Sequence, residues 1–188
     1  MLALDHTTLS IEPGEFVAVV GPSGCGKSTL MKLVTGLLPP STGEIWFGGK
    51  RVTAPVHGAG MAFQNATLLP WRSTIENVML PLEIVEPYKR MPRGANSEMF
   101  RRAQSLLDIV GLGEFGDRLP WQLSGGMQQR ANLCRALIHE PKLIMLDEPF
   151  AALDAFTKED LWQVLQDLWM RRKFTAILVT HDLREAAY

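Results

Sequence analysis

Gly21-Pro22-Ser23-Gly24-Cys25-Gly26-Lys27-Ser28-Thr29 carries the spacing GxxxxGK[ST], and its flanks are those a P-loop requires. Phe16-Val-Ala-Val-Val20 before it is a continuous apolar run, as expected of a strand buried on both faces. Leu30, Leu33, Val34 and Leu37 after it recur at helical spacing, so the loop joins a strand to a helix. Glycines at 21, 24 and 26 leave the backbone N–H groups open to phosphate oxygens, and the following helix aims its positive end at the same place. Lys27 can then reach the β- and γ-phosphates and Ser28 can ligate Mg²⁺. The stretch implies binding of a nucleoside triphosphate.

Composition limits what else the chain can do. Its 188 residues hold 19 Lys and Arg against 20 Asp and Glu, a net charge of −1. That balance offers no basic excess to track a nucleic-acid backbone, so no nucleic-acid partner is expected. Arg101-Arg102 and Arg171-Arg172-Lys173 read as solvated helix surface. No apolar run reaches the roughly 20 residues that span a bilayer. Met1-Leu-Ala-Leu-Asp5 lacks the charged and apolar regions of a signal peptide. Two cysteines, one of them inside the P-loop, suggest no disulfide framework and point to a reducing compartment. Cys25 reads as a small residue that fits the loop, with a reactive thiol as the alternative.

Along the chain, residues 2–20 read as short strands around the turn Glu12-Pro-Gly-Glu15. Glu44-Ile-Trp-Phe47 and Gly60-Met-Ala-Phe63 read as further strands, the second ending at Gln64. Ser73-Thr-Ile-Glu76 is a capping box. Asn96 or Ser97 caps a helix with Met99, Ala103, Leu106, Leu107 and Val110 on one face, and Gly111 ends it. These features make residues 65–135 a helical lobe inserted in an α/β core of residues 1–64 and 136–188. In the core, Leu143-Ile-Met-Leu146 and Thr175-Ala-Ile-Leu-Val-Thr180 are apolar strands, and Asp154 can cap the helix between them. Gly21, Gln64, Asp147 and His181 all fall at carboxyl ends of strands, where open α/β sheets bind their ligands.

Two stretches carry the remaining chemistry. The Leu143–Leu146 strand ends in Asp147 and Glu148: the first is suited to hold Mg²⁺ and the second to polarise an attacking water. Leu123-Ser124-Gly125-Gly126-Met-Gln-Gln-Arg130 continues through Leu133, Ala136 and Leu137 as a helix. Ser124 and two bare glycine amides thus form a second anion site. One triphosphate needs only one such site, whereas two chains arranged head to tail use both.

With these residues assembled, the chain resembles the ATP-binding subunit of an ABC transporter over nearly its whole length. Gly21–Thr29 matches the Walker A loop, Gln64 the Q-loop, Leu123–Gln128 the signature motif and Leu143–Glu148 the Walker B strand. Ala152-Leu-Asp154 matches the D-loop and His181 the switch histidine. The resemblance implies ATP and Mg²⁺ as cofactors, with ATP sandwiched in a homodimer between one Walker A loop and the partner's signature. It makes Glu148 the base, gives His181 the γ-phosphate and the water, and has Gln64 sense Mg²⁺. It implies permease subunits as partners, an indirect link to a solute-binding protein, and a peripheral position on the cytoplasmic face of the membrane. Leu68-Leu-Pro-Trp-Arg72 and Thr180-His-Asp-Leu-Arg-Glu185 resemble the importer branch for nitrate, taurine and aliphatic sulfonates.

The implied fold is a P-loop core with a mainly parallel sheet, a small N-terminal antiparallel part and an inserted helical lobe. Met127 and Ala151 depart from the family's commonest residues, Gln and Ser. The family also places an adenine-stacking aromatic well before the Walker lysine, and further strands after the switch histidine. Their lack implies a chain truncated at both ends, and the intact catalytic set favours a fragment over a degenerate copy. A soluble ABC ATPase of DNA repair or translation is the alternative. The single cassette, without coiled-coil, zinc or basic inserts, speaks against it. An inactive interaction module would lack Lys27, Glu148 or His181.

Overall fold

The structure is a computed structural model that describes residues 2–151 and 153–187. Its centre is a parallel sheet of β1 (Phe16–Val20), β4 (Ala59–Ala62), β5 (Leu143–Asp147) and β6 (Thr175–Thr180), in the order β1-β6-β5-β4. The small antiparallel part is a hairpin of β2 (Trp46–Phe47) and β3 (Lys50–Arg51), with Trp46 opposite Arg51. It lies after the P-loop, whereas residues 2–15 contribute no strand. There the Asp5 side chain accepts from His6 N and the Asp5 carbonyl from Thr7 Oγ1, local bonds that compete with strand pairing. The turn Glu12–Glu15 is formed, with Glu15 N donating to Glu12 O at 3.1 Å.

The helices are α1 (Lys27–Val34), α2 (Thr74–Met79), α3 (Glu98–Ile109), α4 (Gly125–Leu137), α5 (Ala155–Arg172) and α6 (Leu183–Ala187). Their starts follow cap chemistry. Ser73 and Glu76 form the reciprocal capping box of α2, Ser97 rather than Asn96 caps α3 through Phe100 N, and Asp154 caps α5 through Thr157 N. Each such cap is worth about 1 kcal/mol. Among the described residues no helix is long and apolar enough to cross a membrane.

Alternation along the central strands divides the core between two faces. Leu143, Met145, Ile177 and Val179 pack with Met31 of α1 on one face. Ile144, Leu146, Ala176 and Leu178 face the other way, in a cluster with α2, α3, α4 and α5. α1 and α4 therefore cover opposite faces of the sheet. Among the described residues only β5 and β6 are flanked by strands on both sides. β1 is an edge strand and half-buried, so the expectation of full burial fails there. Phe16 is covered by α5, with its ring 6.2 Å from Trp162 and 6.0 Å from Trp169.

Candidate functional site

Strand register assembles the site. Val20 pairs with Thr180, Asp147 with Val179 and Ala62 with Leu146. The residues that follow those pairs, the P-loop, Glu148, Gln64 and His181, therefore leave the sheet together at its carboxyl end. Sequence distance hides this meeting; parallel pairing creates it.

The P-loop closes around Lys27. Gly24 and Gly26 take φ values of 82° and 101°, left-handed conformations that L-residues rarely adopt. Lys27 opens α1 and is only 7% exposed. Its Nζ donates to Gly21 O at 2.7 Å and to Pro22 O at 2.9 Å. The ammonium is thus parked on the loop's own carbonyls, beside the uncapped amides of the first turn of α1. Ser23, Gly24, Cys25 and Ser28 are exposed, and Thr29 is half-buried.

Opposite this cation stand the two acids. Burial raises the Asp147 carboxyl above its ordinary range and the charge of Glu148 adds to that, while Lys27 and Lys32 oppose it. Glu148 has φ 44°, a strained value for a side-chain-bearing residue, and its N–H is held by Val179 O at 2.9 Å. That twist turns its carboxylate toward the end of β6, where Oε2 lies 3.2 Å from His181 Nδ1. The residue before His181 is anchored through α6. Thr180 Oγ1 donates to the buried Glu185, and Lys158 of α5 donates to the other oxygen of Glu185 at 3.0 Å. Sequence reasoning missed this Thr180–Glu185–Lys158 link. The signal for it is the short helix α6, which buries a glutamate.

The signature residues lie elsewhere. Ser124 caps α4 by accepting from Met127 N at 3.2 Å, and Gly125 is exposed with open space at its Cα. A Cβ on Gly126 would come within 2.7 Å of Thr157 Cγ2, so this glycine also lets α4 close on α5. Thr157 in turn donates to both oxygens of Asp154, through N at 3.1 Å and Oγ1 at 2.6 Å. Ala152 of the D-loop lies outside the described residues, and Ala151 is exposed. Gln64 presents an exposed side chain, while its carbonyl accepts from Gln129 of α4.

With this geometry in hand, likeness to known proteins has a structural meaning. The family model described as ABC transporter matches residues 4–151. The chain belongs to the ABC transporter family. It is an ABC-type ATPase, with the α/β fold of the ABC cassettes. It is 43% identical over 185 residues to the aliphatic sulfonates import ATP-binding protein of Bacillus subtilis, covering 98% of this chain and 69% of that one. It is 40% identical over 187 residues to the nitrate import ATP-binding protein of Synechococcus elongatus, covering 100% of this chain and 66% of that one. The chain thus spans about two thirds of the length of these relatives. Among solved structures, a dimeric post-hydrolysis state of an ATP-binding cassette bound to ADP and Pi superposes with a TM-score of 0.83 at 36% identity. That match covers 98% of this chain and 82% of the other.

The chain carries a testable contrast between its two thiols, Cys25 in the P-loop and Cys134 in α4. Cys25 is exposed, whereas Cys134 is buried, donates to Leu106 O, and is pushed up to about 12, chiefly by burial. A thiol reagent near neutral pH is expected to modify Cys25 in the native protein and Cys134 only after denaturation. Bound ATP should slow modification of Cys25. Equal rates for both thiols, followed by mass spectrometry, would contradict the burial. An unprotected Cys25 would remove phosphate from the loop.

Proposed function

We propose that this chain is the ATP-hydrolysing motor subunit of an ABC importer, dimerising on ATP and driving membrane permease subunits. The observation that carries the reading is the shared strand register, which brings Lys27, Asp147, Glu148 and His181 to one end of the sheet. The residues suit the cofactors. Gly24 and Gly26 line a cradle whose backbone tolerates no ordinary side chain, as a phosphate site requires. Ser28, Asp147 and Gln64 offer oxygen donors only, the set that Mg²⁺ prefers. When bound, Mg²⁺ neutralises charge on the phosphate oxygens. Lys27 Nζ has three N–H groups; two hold Gly21 O and Pro22 O, and the third turns to a phosphate oxygen. Glu148 takes the proton of the attacking water, and His181 keeps that carboxylate oriented and faces the γ-phosphate.

The signature residues supply the argument for a dimer. Ser124, Gly125 and Gly126 open α4, on the sheet face opposite α1. A triphosphate seated on the P-loop at the start of α1 is better placed to meet the signature of a second copy. The dimeric cassette bound to ADP and Pi gives a dimer of such chains a precedent. In this reading residues 65–135 form the lobe that shifts against 1–64 and 136–188, and Asp154 contacts the partner's nucleotide.

For the permease we favour the surface beside the Q-loop. Leu68 packs inward, whereas Trp71 is 72% exposed and Ile84 is 69% exposed. The two flank the Arg72–Glu83 pair, joined at 2.6 Å, and Asn77 fixes the loop by bonding Leu69 N, Leu69 O and Arg72 O. A rigid loop with a bare indole suits a helix in a groove. The chain would then sit peripherally on the cytoplasmic face of the membrane, with a solute-binding protein reached only through the permease. The likeness to sulfonate and nitrate import proteins favours a small oxyanion or sulfonate as the solute.

A Trp71→Ala/Ile84→Asp double variant changes only exposed residues, so basal ATPase should stay within about twofold of wild type. Co-purification with the co-expressed permease should be lost. Retained permease binding would refute this surface. Lost basal activity would instead assign Trp71 to packing within the lobe.

A further inference from the structure

One stripe of α4 grips the loop that follows β4. Gln129, Asn132 and Arg135 are spaced by three and lie along one side of the helix. Gln129 donates to Gln64 O, and Asn132 donates to Phe63 O at 3.0 Å. Arg135 donates to Ala66 O at 2.6 Å, to Thr67 O at 2.9 Å and to Thr67 Oγ1 at 3.1 Å. The stripe is also braced within itself. Asn132 donates to Gln129 Oε1 at 3.1 Å, and Arg135 donates to Asn132 Oδ1 at 2.9 Å.

The backbone carbonyls of residues 63, 64, 66 and 67 are thus all engaged by one helix. Thr67 is held at φ 43°, an uncommon value for a β-branched residue, so the loop takes a shape that its own turn chemistry does not favour. Gln129 and Asn132 are buried, and every bond that Arg135 makes goes to a neutral oxygen. A stripe this polar on the inward side of a helix is stable only with its partners in place. α4 and the loop must therefore move together or break the five hydrogen bonds that join them.

We propose that Gln129, Asn132 and Arg135 are positioning residues: they couple the state of Gln64 to the N-terminus of α4, where Ser124, Gly125 and Gly126 lie. The inference rests on the ATPase reading above. A helix transmits a push along its axis with little loss, because each residue is fixed by i to i−4 bonds. Any backbone shift at Gln64 on binding nucleotide reaches the signature without passing through the apolar core.

Arg135→Lys keeps the charge but loses the planar fork that spans Ala66 and Thr67. It is expected to lower kcat about tenfold with KM for ATP within about twofold, a size in keeping with coupling residues that touch no ligand. In a Gln64→Ala background the same change should have no further effect, because the link then has nothing to carry. Thr67→Gly, at an exposed position, loosens the same loop and removes one acceptor of Arg135 while every residue of α4 stays in place, and it should lower kcat in the same direction. It decides the matter if Arg135→Lys does not fold. An unchanged kcat, a loss confined to KM, or additive losses in the Gln64→Ala background would overturn the coupling role. Lys27→Ala and Glu148→Gln measured alongside separate the coupling role from the site itself. If they retain turnover, the site is wrong and this inference falls with it; if they lose it, the Arg135 and Thr67 results bear on the stripe alone.

Discussion

Glu148→Gln is expected to reduce steady-state phosphate release by about 10²–10⁴, the range a positioned general base supplies, and to leave ATP binding intact. The substitution is nearly isosteric, so the φ 44° turn and the bond from its N–H to Val179 O are preserved. What disappears is the negative charge 3.2 Å from His181 Nδ1 and the ability to accept a proton. That same charge raises Asp147, so its removal lets Asp147 ionise more readily. The cation site proposed for Asp147 should therefore be as strong or stronger in the variant. Binding without turnover accumulates the closed state, and size-exclusion chromatography with ATP and Mg²⁺ should reveal a dimer that persists. Phosphate release within about threefold of wild type, well below what loss of a general base costs, would take the base role away from Glu148.

The reach of the sequence can be judged from the same residues. Caps and turns were legible because they are local. Ser73 with Glu76 and Asp154 with Thr157 bond across three residues, so residue type and spacing predict them directly, while for α3 they narrow the cap to Asn96 or Ser97 and the structure selects Ser97. The P-loop was legible because its left-handed positions demand glycine. The core was legible where strands are flanked on both sides: Ile144, Met145, Leu146 and Leu178 are buried as their apolar runs require. At the sheet edge the same rule over-reads, since Phe16–Val20 is as apolar as β5 yet only half-buried. Strand expectations ahead of β1 failed for a related reason, because a strand exists only where a partner exists.

Long-range polar contacts were the least legible. Arg135 meets Ala66 across 69 residues and Lys158 meets Glu185 across 27, and no local pattern records either. A faint signal was present in α4 all the same. Gln129, Asn132 and Arg135 interrupt the apolar side of a helix that must pack on a sheet, and such positions call for buried partners. Gly126 carries a similar lesson. Its bare amide reads as part of an anion site, and the structure adds a packing reason in the approach of Thr157.

Lys27→Ala is expected to weaken ATP binding by about 10- to 100-fold, in line with the loss of charge-assisted hydrogen bonds to phosphate. Two contributions lead to that size. The first is the cation itself, which is buried in the loop and so acts with little screening by solvent. The second is preorganisation. Nζ ties Gly21 O to Pro22 O, and without it the backbone amides of residues 24–28 no longer start from a fixed arrangement. The fold itself should survive, since Lys27 bonds only two carbonyls at a loop whose neighbouring residues are exposed, and water can take its place. Circular dichroism should therefore match wild type while calorimetry registers the loss. Lys27→Arg makes the argument sharper. It keeps the charge but brings a planar fork into a space shaped for a slender ammonium, so it should rescue little of the affinity. If Lys27→Ala binds ATP as tightly as wild type, the ammonium does not face the phosphates. If Lys27→Arg restores binding in full, charge alone matters and the carbonyl clamp on Gly21 and Pro22 contributes nothing.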